Sequence, residues 1–352
     1  MYISSIHTDI KGNYLYVTVV NGNSSITVNA GDLDSNMKFD NAIICKNGTI
    51  RSKNGYRIPR EIVRQDKLDL NKYKNLKFYD GTTEKYGITY KGKNYIVKYP
   101  KNSTDTSHIS EYVASHFINN LGYKAHNTFL IDTVDGICVL VEDFINTLGV
   151  LHTYADTQQS SEGTDIETKA YTYKDIQYMI EKHTKIPDYL KPKALYQFWV
   201  MFFLDAILGN RDRHKGNWGY IRNNKDEYFV SPVFDNGGSL FTNVLPRIKQ
   251  YVVDKNTFIR ERSEKFPACL ICEERDGTIN RTNYYYYINK NSLSSNRIMS
   301  RVYKEFRSIG TERIRSAIEL AVSNNLIPDV LKSFYVDIVV SRYEHIILRH
   351  KL

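Results

Sequence analysis

The chain contains two neighbouring stretches that together indicate its fold, N-R-D-R-H-K-G-N at residues 210–217 and V-F-D-N-G at residues 233–237. The first places the amide of Asn217 five residues after the carboxylate of Asp212, and the second adds the carboxylate of Asp235. Between them, residues 218–221 and 228–230 predict two strands joined by a polar turn. Because a hairpin brings its ends together, we expect Asn217 and Asp235 to lie beside Asp212.

Oxygen ligands gathered in this way suit Mg²⁺, which binds one or two carboxylates and keeps other positions for water or phosphate oxygens. Asn217 and Asp235 are therefore predicted metal ligands. Asp212 would then be free to orient a hydroxyl group and accept its proton. The same residues leave three alternatives open, which are turn capping, a strand end at Asp235 and a transition-metal site at the Asp-x-His pattern.

The sequence around this site predicts a helical lobe. Residues 193–208 are strongly apolar and predict a buried helix, which Gly209 is placed to end. Residues 173–183 predict another helix, and residues 297–352 predict further ones, including 312–324 and 328–350. Residues 153–168 are rich in Ser, Thr, Gln and Gly, which favours a loop between lobes.

A β-rich block precedes the helical part. Residues 76–79, 86–90 and 94–99 predict a three-stranded meander, and residues 137–141 predict a further strand. The first meander loop carries Gly81, Thr82, Thr83 and Lys85, so backbone N–H groups and a cation could lie over phosphates. An ordinary β-turn is the alternative.

Lys98 lies within the strand-like run Y-I-V-K-Y at residues 95–99. A buried ammonium group without a partner would cost several kcal/mol, and Glu111, in the first turn of a helix predicted over residues 107–121, can be that partner. The alternatives are an edge strand whose lysine faces water and an acid favoured only by the helix N-terminus. Lysine, glutamate, Asp212, Asn217 and Asp235 occur in the order that a two-lobed phosphotransferase requires.

With these motifs, the chain resembles the HipA-like serine/threonine kinases, including short stand-alone bacterial members, over about residues 75–345. The resemblance rests on Lys85, Y-I-V-K-Y-P at 95–100, Glu111-Tyr112, G-N-R-D-R-H-K-G-N at 209–217 and P-V-F-D-N-G at 232–237. It implies an α+β, two-lobed protein-kinase-like fold. We therefore expect a small β-rich N-terminal extension at residues 1–70, which begins with a hairpin at residues 14–28, an N-lobe at 71–148 and a helical C-lobe at 149–352.

The resemblance also implies roles for these residues, carried over by position. Lys98 would hold the α- and β-phosphates of ATP and pair with Glu111, while Asp212 would be the catalytic base. Mg²⁺ would be bound by Asn217 and Asp235. The adenine hinge would lie at Glu142 to Phe144, and the phosphate loop would contribute Gly81, Thr82, Thr83 and Lys85.

The implied reaction is transfer of a phosphoryl group from ATP to a serine or threonine of a protein substrate. Autophosphorylation in the phosphate loop is also implied, with Thr82 and Thr83 as its hydroxyls. Related D-R-H-x-x-N patterns in phosphoinositide kinases leave a lipid or small-molecule acceptor open. The stretch before the phosphate loop looks shorter than that of HipA, so the sequence gives no support for an antitoxin-like partner, and the D-N-G motif lacks the apolar middle residue of eukaryotic protein kinases.

Composition narrows the remaining classes. The 352 residues, 41% of them hydrophobic, can bury a large core, and no apolar run reaches the length of roughly 18 residues that a membrane span needs. A cytoplasmic protein is expected because the start lacks signal-peptide features, with secretion as an effector left open. Of the four cysteines, only Cys269 and Cys272 form a C-x-x-C, and no second ligand pair follows for zinc.

The net charge of +9 indicates an anionic partner, either a nucleotide or a nucleic acid. A nucleic-acid-binding module, in which the four tyrosines at residues 284–287 stack on bases, is one competing hypothesis, although such a run more often packs in a core. An inactive kinase fold that binds a partner is another. Intact Lys98, Asp212, Asn217 and Asp235 argue against the latter.

Overall fold

The computed structural model describes residues 1–8, 14–53, 58, 60–62, 68–77, 85–156, 172–182, 186–263, 268–275, 278–290 and 296–349. The chain divides into two compact units, Met1–Leu68 and Asp69–Leu352. None of the described helices combines the length and the apolar character that crossing a bilayer requires.

The first unit is built from strands, namely β1 (Tyr2–Thr8), β2 (Tyr14–Asn21), β3 (Ser24–Asn29), β4 (Ala42–Ile44), β5 (Ile50–Ser52) and β6 (Arg60–Ile62). One sheet has the order β3-β2-β1-β6, and β4 pairs with β5. The predicted hairpin is present as β2 and β3, and Gly22 takes a φ of 60° in its turn, which costs little without a Cβ. Alternate side chains such as Ile3, Val17 and Val19 bury into a core of this unit's own.

The second unit begins with a four-stranded antiparallel sheet of β7 (Lys85–Tyr90), β8 (Lys93–Lys98), β9 (Thr128–Thr133) and β10 (Gly136–Glu142), in the order β7-β8-β10-β9. The strand predicted at residues 76–79 is wrong at Leu76 and Lys77, which lie outside any strand. Residues 78–79 fall outside the described part of the chain. The sheet is completed instead by β9 and β10, which follow much later in the chain. As a result β8, which carries Lys98, is a central strand and not an edge strand.

Helix α1 (Ser107–Asn120) confirms the predicted helix and packs against β9 and β10. Its apolar face buries Val113, Phe117 and Ile118 completely. Glu111 is the fifth helical residue and so lies in the second turn, not in the first turn as predicted. The partial positive charge of the helix N-terminus therefore stabilises the Glu111 carboxylate less than predicted, because this charge acts mainly within the first turn.

The other α-helices in the described part of the second unit are α2 (Phe144–Leu148), α3 (Tyr173–Lys182), α4 (Lys191–Leu208), α5 (Ile248–Val253), α6 (Lys255–Ser263), α7 (Tyr284–Lys290), α8 (Arg297–Ile309), α9 (Thr311–Ala321) and α10 (Asp329–Tyr343). A π-helix over Glu344–Leu348 continues α10. The helices α3, α4, α9 and α10 confirm predicted helices. Most of the predicted loop at residues 153–168 falls outside the described residues.

Helix α4 lies at the centre of this helical lobe, in contact with α8 and α10. Nearly all of its residues from Phe198 onward are buried, which explains the continuous apolar run in its sequence. It ends as predicted at Gly209, whose φ of 67° is the left-handed conformation of a helix C-cap. A Cβ atom at Gly209 would also overlap the guanidinium group of Arg342, so glycine is required twice over.

The helical lobe also contains five short strands among its described residues. Strands β11 (Val150–Thr153), β12 (Gly219–Arg222) and β13 (Tyr228–Val230) form one sheet, and β14 (Ala268–Arg275) pairs with β15 (Thr278–Asn283). The β12–β13 hairpin confirms the strands predicted between the two opening motifs. The hairpin brings its two ends together, as predicted, so the segment after β13 lies near residue 212.

Candidate active site

Lys98 is the meeting point of three parts of the chain. It ends β8, where it pairs with Lys85 of β7 and Val139 of β10 in the sheet. Its Nζ lies 2.9 Å from Glu111 Oε2 on α1 and 2.9 Å from Asp235 Oδ1 after the β12–β13 hairpin. The side chain is 17% exposed, so the ion pairs form in a partly desolvated setting where charges interact more strongly than in water.

Glu111 is a buried carboxylate with several partners. Its side chain is only 1% exposed, and its Oε1 accepts a hydrogen bond of 2.7 Å from the backbone N–H of Asn236. The Nε2 of His126 lies 2.9 Å from the same oxygen, outside hydrogen-bonding geometry. Burial by itself would raise the pKa of Glu111, but the charge of Lys98 and the neighbouring His126 outweigh burial and hold that pKa well below its usual range.

The same balance sets the charge of Lys98 and Asp235. Burial would lower the pKa of Lys98, but the carboxylates of Glu111 and Asp235 raise it above its ordinary value. Burial would raise the pKa of Asp235, but the Lys98 charge lowers it. All three groups are therefore charged at neutral pH, which is the state that a phosphate-binding lysine and a metal-binding carboxylate require.

The loop after α4 holds Asp212 in an exposed position. Its backbone N–H donates to Asn210 Oδ1 at 3.0 Å, and its carbonyl oxygen accepts from Asn217 Nδ2 at 3.2 Å. The five-residue spacing thus closes a compact loop in which the Asp212 carboxylate stays accessible. Gly238 lies directly against it, since a Cβ on that glycine would come within 2.7 Å of Asp212 Cβ.

Arg213 is a buried tie between the two opening motifs. Its guanidinium group binds Asp205 of α4 through Nε at 2.8 Å and Nη2 at 3.0 Å. It also donates to the carbonyl oxygens of Asn217 at 3.0 Å and Phe234 at 2.6 Å, and to Asn236 Oδ1 at 2.8 Å. A paired and fully hydrogen-bonded charge of this kind positions loops, because removing either partner leaves an uncompensated buried charge.

The sequence motifs do not by themselves identify Asp205 and Arg213 as structural residues of the site. A usable signal was present in F-F-L-D-A-I-L at residues 202–208, where one carboxylate interrupts an apolar, buried helix. A charge at such a position needs a partner. The arginine eight residues later is that partner.

Asp235 takes a left-handed backbone conformation, with a φ of 56°. This conformation costs a non-glycine residue about 1–3 kcal/mol and persists only where the surroundings enforce it. Here Asn236 is fully buried, and its Nδ2 donates to Ser115 Oγ of α1 at 3.0 Å. The polar middle residue of D-N-G therefore ties this segment to α1 by hydrogen bonds, where an apolar residue would only pack.

These groups surround one cavity, which we name the cleft. It has a volume of about 470 Å³, within the range of small-ligand sites, and Lys98, Glu111, Asp212 and Asp235 line it together. Among the described residues, its wall also contains side chains that sequence reasoning did not single out, namely Lys101, Asn102, Asp105, Ser107, His108, Thr242 and Asn243. Three of them lie in the turn before α1 and two are the first residues of α1. A tertiary hydrogen bond from the Thr106 backbone N–H to the Thr242 carbonyl oxygen holds this turn near residue 242.

Asn217 is buried and does not line the cleft in the described part of the chain. Because its Nδ2 donates to the Asp212 carbonyl, its Oδ1 is the atom left as a metal ligand. No group of three or more His, Cys, Asp or Glu side chains among the described residues could hold a metal by itself. Mg²⁺ bound with a nucleotide takes few protein ligands and several phosphate or water oxygens, so the Asp235 carboxylate and the Asn217 Oδ1 are donors that suit it.

Other predicted nucleotide contacts lie elsewhere or outside the described residues. Glu142 ends β10 and binds Lys93 Nζ at 3.0 Å and Asn127 Nδ2 at 2.9 Å, and the ring of Phe144 lies 5.6 Å from that of Phe234. Neither lines the cleft as described. Lys85 lies opposite Lys98 in the sheet. The predicted phosphate-loop residues Gly81, Thr82 and Thr83 fall outside the described residues.

The two remaining sequence motifs, the tyrosine run and the C-x-x-C, lie in α7 and β14. Tyr284 and Tyr287 of α7 are buried, with ring centroids 5.0 Å from Phe202 and 6.2 Å from Trp199, respectively. Two of the four tyrosines, three residues apart on one helix, therefore pack in the core, as is more common for such a run, while Tyr285 and Tyr286 are exposed. Cys269 and Cys272, which form the C-x-x-C, belong to β14. Their side chains fall outside the described part of the structure.

The chain is similar to known proteins in sequence and in fold. A family model described as the HipA-like C-terminal domain matches residues 65–258. The serine/threonine-protein kinase CtkA of Helicobacter pylori is 29% identical over 293 residues, which is 76% of this chain and 85% of that protein. The crystal structure of the Helicobacter pylori proinflammatory kinase CtkA matches with a TM-score of 0.63 and 27% identity, over 75% of this chain and 91% of that chain.

A weaker match is the HipA, HipB and operator DNA complex of Shewanella oneidensis MR-1, at a TM-score of 0.46 and 14% identity over 84% of this chain and 75% of that one. The predicted protein-kinase-like α+β fold is confirmed by the similarity to the CtkA structure. The family model covers more than half of the 352 residues, including every described residue of the cleft. The chain is thus a homologue of a serine/threonine kinase and belongs to the family of the HipA-like C-terminal domain.

Proposed function

We propose that the chain is an ATP- and Mg²⁺-dependent serine/threonine protein kinase, which transfers a phosphoryl group to a protein hydroxyl. One observation carries the proposal: Lys98 Nζ lies 2.9 Å from both Glu111 and Asp235, in a cleft that Asp212 also lines. A lysine paired with a helix glutamate beside a metal-binding aspartate is the arrangement that protein kinases use. The name of the homologue CtkA, a serine/threonine-protein kinase, supports the same acceptor class.

The proposed roles divide the cleft into two sides. Lys98, held in place by Glu111, binds the α- and β-phosphates of ATP, while Asn217 and Asp235 hold the metal. When bound, Mg²⁺ supplies positive charge that neutralises the phosphate oxygens as the phosphoryl group leaves. Asp212 orients the acceptor hydroxyl and accepts its proton.

The buried contacts of Arg213 support this division because they hold the loops of Asn217 and Asp235 through backbone carbonyl oxygens. Arg213 binds the carbonyl oxygens of Asn217 and Phe234, so the positions of the two proposed metal-binding loops are coupled. The exposed carboxylate of Asp212 belongs to the same loop and lines the cleft. Preorganised groups need no rearrangement at the moment of transfer, which is how electrostatic stabilisation lowers a barrier.

Autophosphorylation is part of the proposal, with Thr82 and Thr83 as the acceptors. These hydroxyls are close in sequence to Lys85, whose strand neighbour is Lys98. A phosphoryl group on either threonine would add negative charge to a loop proposed to cover the phosphates of ATP. Such a modification is expected to weaken ATP binding.

The test is intact-mass analysis after incubation with ATP and Mg²⁺, alone and with generic acceptor proteins or phosphoinositide vesicles. We expect phosphoryl groups on the natural chain or on an acceptor protein, and none with the Asp212→Asn variant, which should still bind Mg²⁺-ATP in a calorimetric titration. Peptide mapping would locate any modification at Thr82 or Thr83. Transfer to lipid alone would reject the protein acceptor, and no transfer to any acceptor would overturn the proposal.

A further inference from the structure

A second cavity adjoins the cleft on the side of Asp212. Its volume is about 880 Å³, and it shares four wall residues with the cleft, namely Arg211, Gly238, Thr242 and Asn243. Gly238 lies against Asp212, as the short distance to a Cβ placed on it shows. A polypeptide segment whose hydroxyl reaches Asp212 would therefore continue into this cavity, which we name the arginine cavity.

The walls of the arginine cavity carry an excess of positive charge. Among its described wall residues are four guanidinium groups, those of Arg211, Arg247, Arg262 and Arg342, and a single carboxylate, that of Glu261. Arg211 lines both cavities, and its Nη2 donates to Thr242 Oγ1 at 3.1 Å. The charge excess therefore begins beside Asp212 and extends away from it.

Arg262 is held rigidly on this wall. Its guanidinium carbon lies 3.2 Å from the centroid of the Phe258 ring, and its Nη1 donates to the Phe258 carbonyl oxygen at 3.3 Å. The nearest Glu261 oxygen is 4.0 Å away, at the limit of an ion pair. Burial, and next the charge of Arg247, lower the pKa of Arg262, which indicates that the two guanidinium groups disfavour each other.

Arg342 lies deeper in the same cavity. Its side chain is buried, and its guanidinium carbon lies 4.6 Å from the centroid of the Phe241 ring. Burial lowers the pKa of Arg342 to about 9. A bound anion would relieve this accumulation of positive charge, and guanidinium groups recognise carboxylates and phosphates through paired hydrogen bonds.

We propose that the arginine cavity binds an anionic side chain of the acceptor protein, a carboxylate or a phosphate near the serine or threonine that is phosphorylated. This substrate preference rests on the proposed kinase function. The cavity adjoins the proposed base and has room for several side chains. Its arginine side chains can bind either a carboxylate or a phosphate. Arg247 is the side chain best suited to a test because it is exposed and its removal leaves the core intact.

The test uses a set of peptides that share one serine acceptor and differ at the flanking positions, which carry glutamate, phosphoserine, glutamine or lysine. We expect kcat/KM to fall about tenfold from the best anionic peptide to its glutamine counterpart, the size of one charge-assisted hydrogen bond. The glutamate and phosphoserine series separate the two sources of the anion. A preference for either one supports the proposal.

The Arg247→Gln variant should lose most of that preference while keeping its rate on the glutamine peptide. Lys249→Gln is the matched control, since Lys249 is an exposed cation two residues further along, in helix α5, and does not line the cavity. Equal kcat/KM values for anionic and neutral peptides in the natural chain would overturn the proposal, and so would the same loss in both variants.

A binding measurement separates this inference from the proposed function. Fluorescence anisotropy of labelled peptides reports acceptor binding without any phosphoryl transfer. Tighter binding of the anionic peptide to the natural chain than to Arg247→Gln supports the cavity even if transfer is absent. Transfer to neutral peptides with no anionic preference in binding or rate leaves the kinase function standing and rejects the inference.

Discussion

At the residue scale, Lys98 shows how one side chain connects three distant parts of the chain. Its neighbours Glu111 and Asp235 are 13 and 137 positions away in the sequence. The carboxylate of Glu111 is almost completely buried, and its charge is stabilised by Lys98, the Asn236 N–H and the neighbouring His126. The ion pair is therefore a structural requirement of the site as well as a proposed part of its chemistry.

Replacing Lys98 with Met is expected to weaken Mg²⁺-ATP binding at least tenfold and to lower the free energy of unfolding by about 3–5 kcal/mol, because Glu111 is left as an unpaired buried charge. Calorimetric titration and urea unfolding measure the two effects. Adding Glu111→Gln should recover part of the stability but none of the binding. Equal stability of the natural chain and the Lys98→Met variant would contradict this account.

His108, in the wall of the cleft, gives the protein a specific dependence on pH. Burial lowers its pKa from 6.5 to about 4, against a smaller opposing effect of Asp105. The unfolded chain therefore binds a proton at a higher pH than the folded chain does. The contribution of the neutral, buried His108 to the free energy of unfolding is fully present above pH 6.5. It is lost as the pH falls toward 4, by about 3 kcal/mol in total.

This dependence is tested by urea unfolding of the natural chain and of His108→Gln at several pH values between about 7 and 5, a window in which few carboxylates titrate. We expect the free energy of unfolding of the natural chain to fall with pH more steeply than that of the variant. The difference between the two should grow as the pH is lowered. Parallel pH profiles would show that His108 titrates normally in the folded chain.

At the scale of elements, the cleft depends on which strand and which turn each motif occupies. Strand β8 is flanked by β7 and β10, which makes Lys98 a residue of a central strand. Chain order suggested a local meander, but β10 pairs with β8 across an intervening helix and strand. The left-handed backbone of Asp235 and the arginine tie at Arg213 are likewise produced by contacts between elements.

The loop of residues 210–217 packs closely on the segment after D-N-G, which makes Gly238 sensitive to substitution. A Cβ there would meet Asp212 Cβ at 2.7 Å and Asn210 Oδ1 at 2.8 Å. Gly238→Ala is therefore expected to displace Asp212 and to reduce kcat about 100-fold, a loss typical of a 1 Å misplacement. Affinity for Mg²⁺-ATP should change little.

Gly31→Ala is the matched control, since a Cβ at Gly31 meets no atom within 4 Å and its backbone is not left-handed. Steady-state phosphoryl transfer, with kcat and KM for ATP measured separately, distinguishes the two variants. Full activity of Gly238→Ala would mean that the loop relaxes without moving Asp212.

At the scale of the whole molecule, the chain consists of units with separate cores. Ile3, Val17 and Phe39 belong to the core of Met1–Leu68, whereas the helices of Asp69–Leu352 share a larger one. All described residues of the cleft and of the arginine cavity lie in the second unit. The predicted division into extension, N-lobe and C-lobe stays a prediction, as do the compartment of the protein and the roles assigned to site residues.

A chain that begins at Asp69 is therefore expected to fold and to bind Mg²⁺-ATP with an affinity within a few-fold of the full chain, because its core is complete without the first unit. Thermal unfolding followed by circular dichroism and calorimetric titration test this expectation. The same truncation with Lys98→Met is the control for specific binding. An unfolded or aggregated product would show that residues 1–68 are needed for the fold.

The sequence by itself determined the kinase-like order of lysine, glutamate, Asp212, Asn217 and Asp235, together with most helices and the β12–β13 hairpin. Those features follow from local periodicity, turn residues and spacing along the chain. The family resemblance rested on the same local motifs, and the comparisons bear it out.

Only the tertiary structure decided which groups meet. The order of the sheet, the hydrogen bonds from Arg213 to Phe234 and Asn236, and the adjoining arginine cavity depend on residues far apart in sequence, such as Arg211 and Arg342. For Asn217, the motif predicts a metal ligand, but the fold buries the side chain and directs its Nδ2 to the Asp212 carbonyl oxygen. Local pattern specifies the type of a side chain and its element, but desolvation and partner choice arise from long-range packing, and these set the charge and the position of each group.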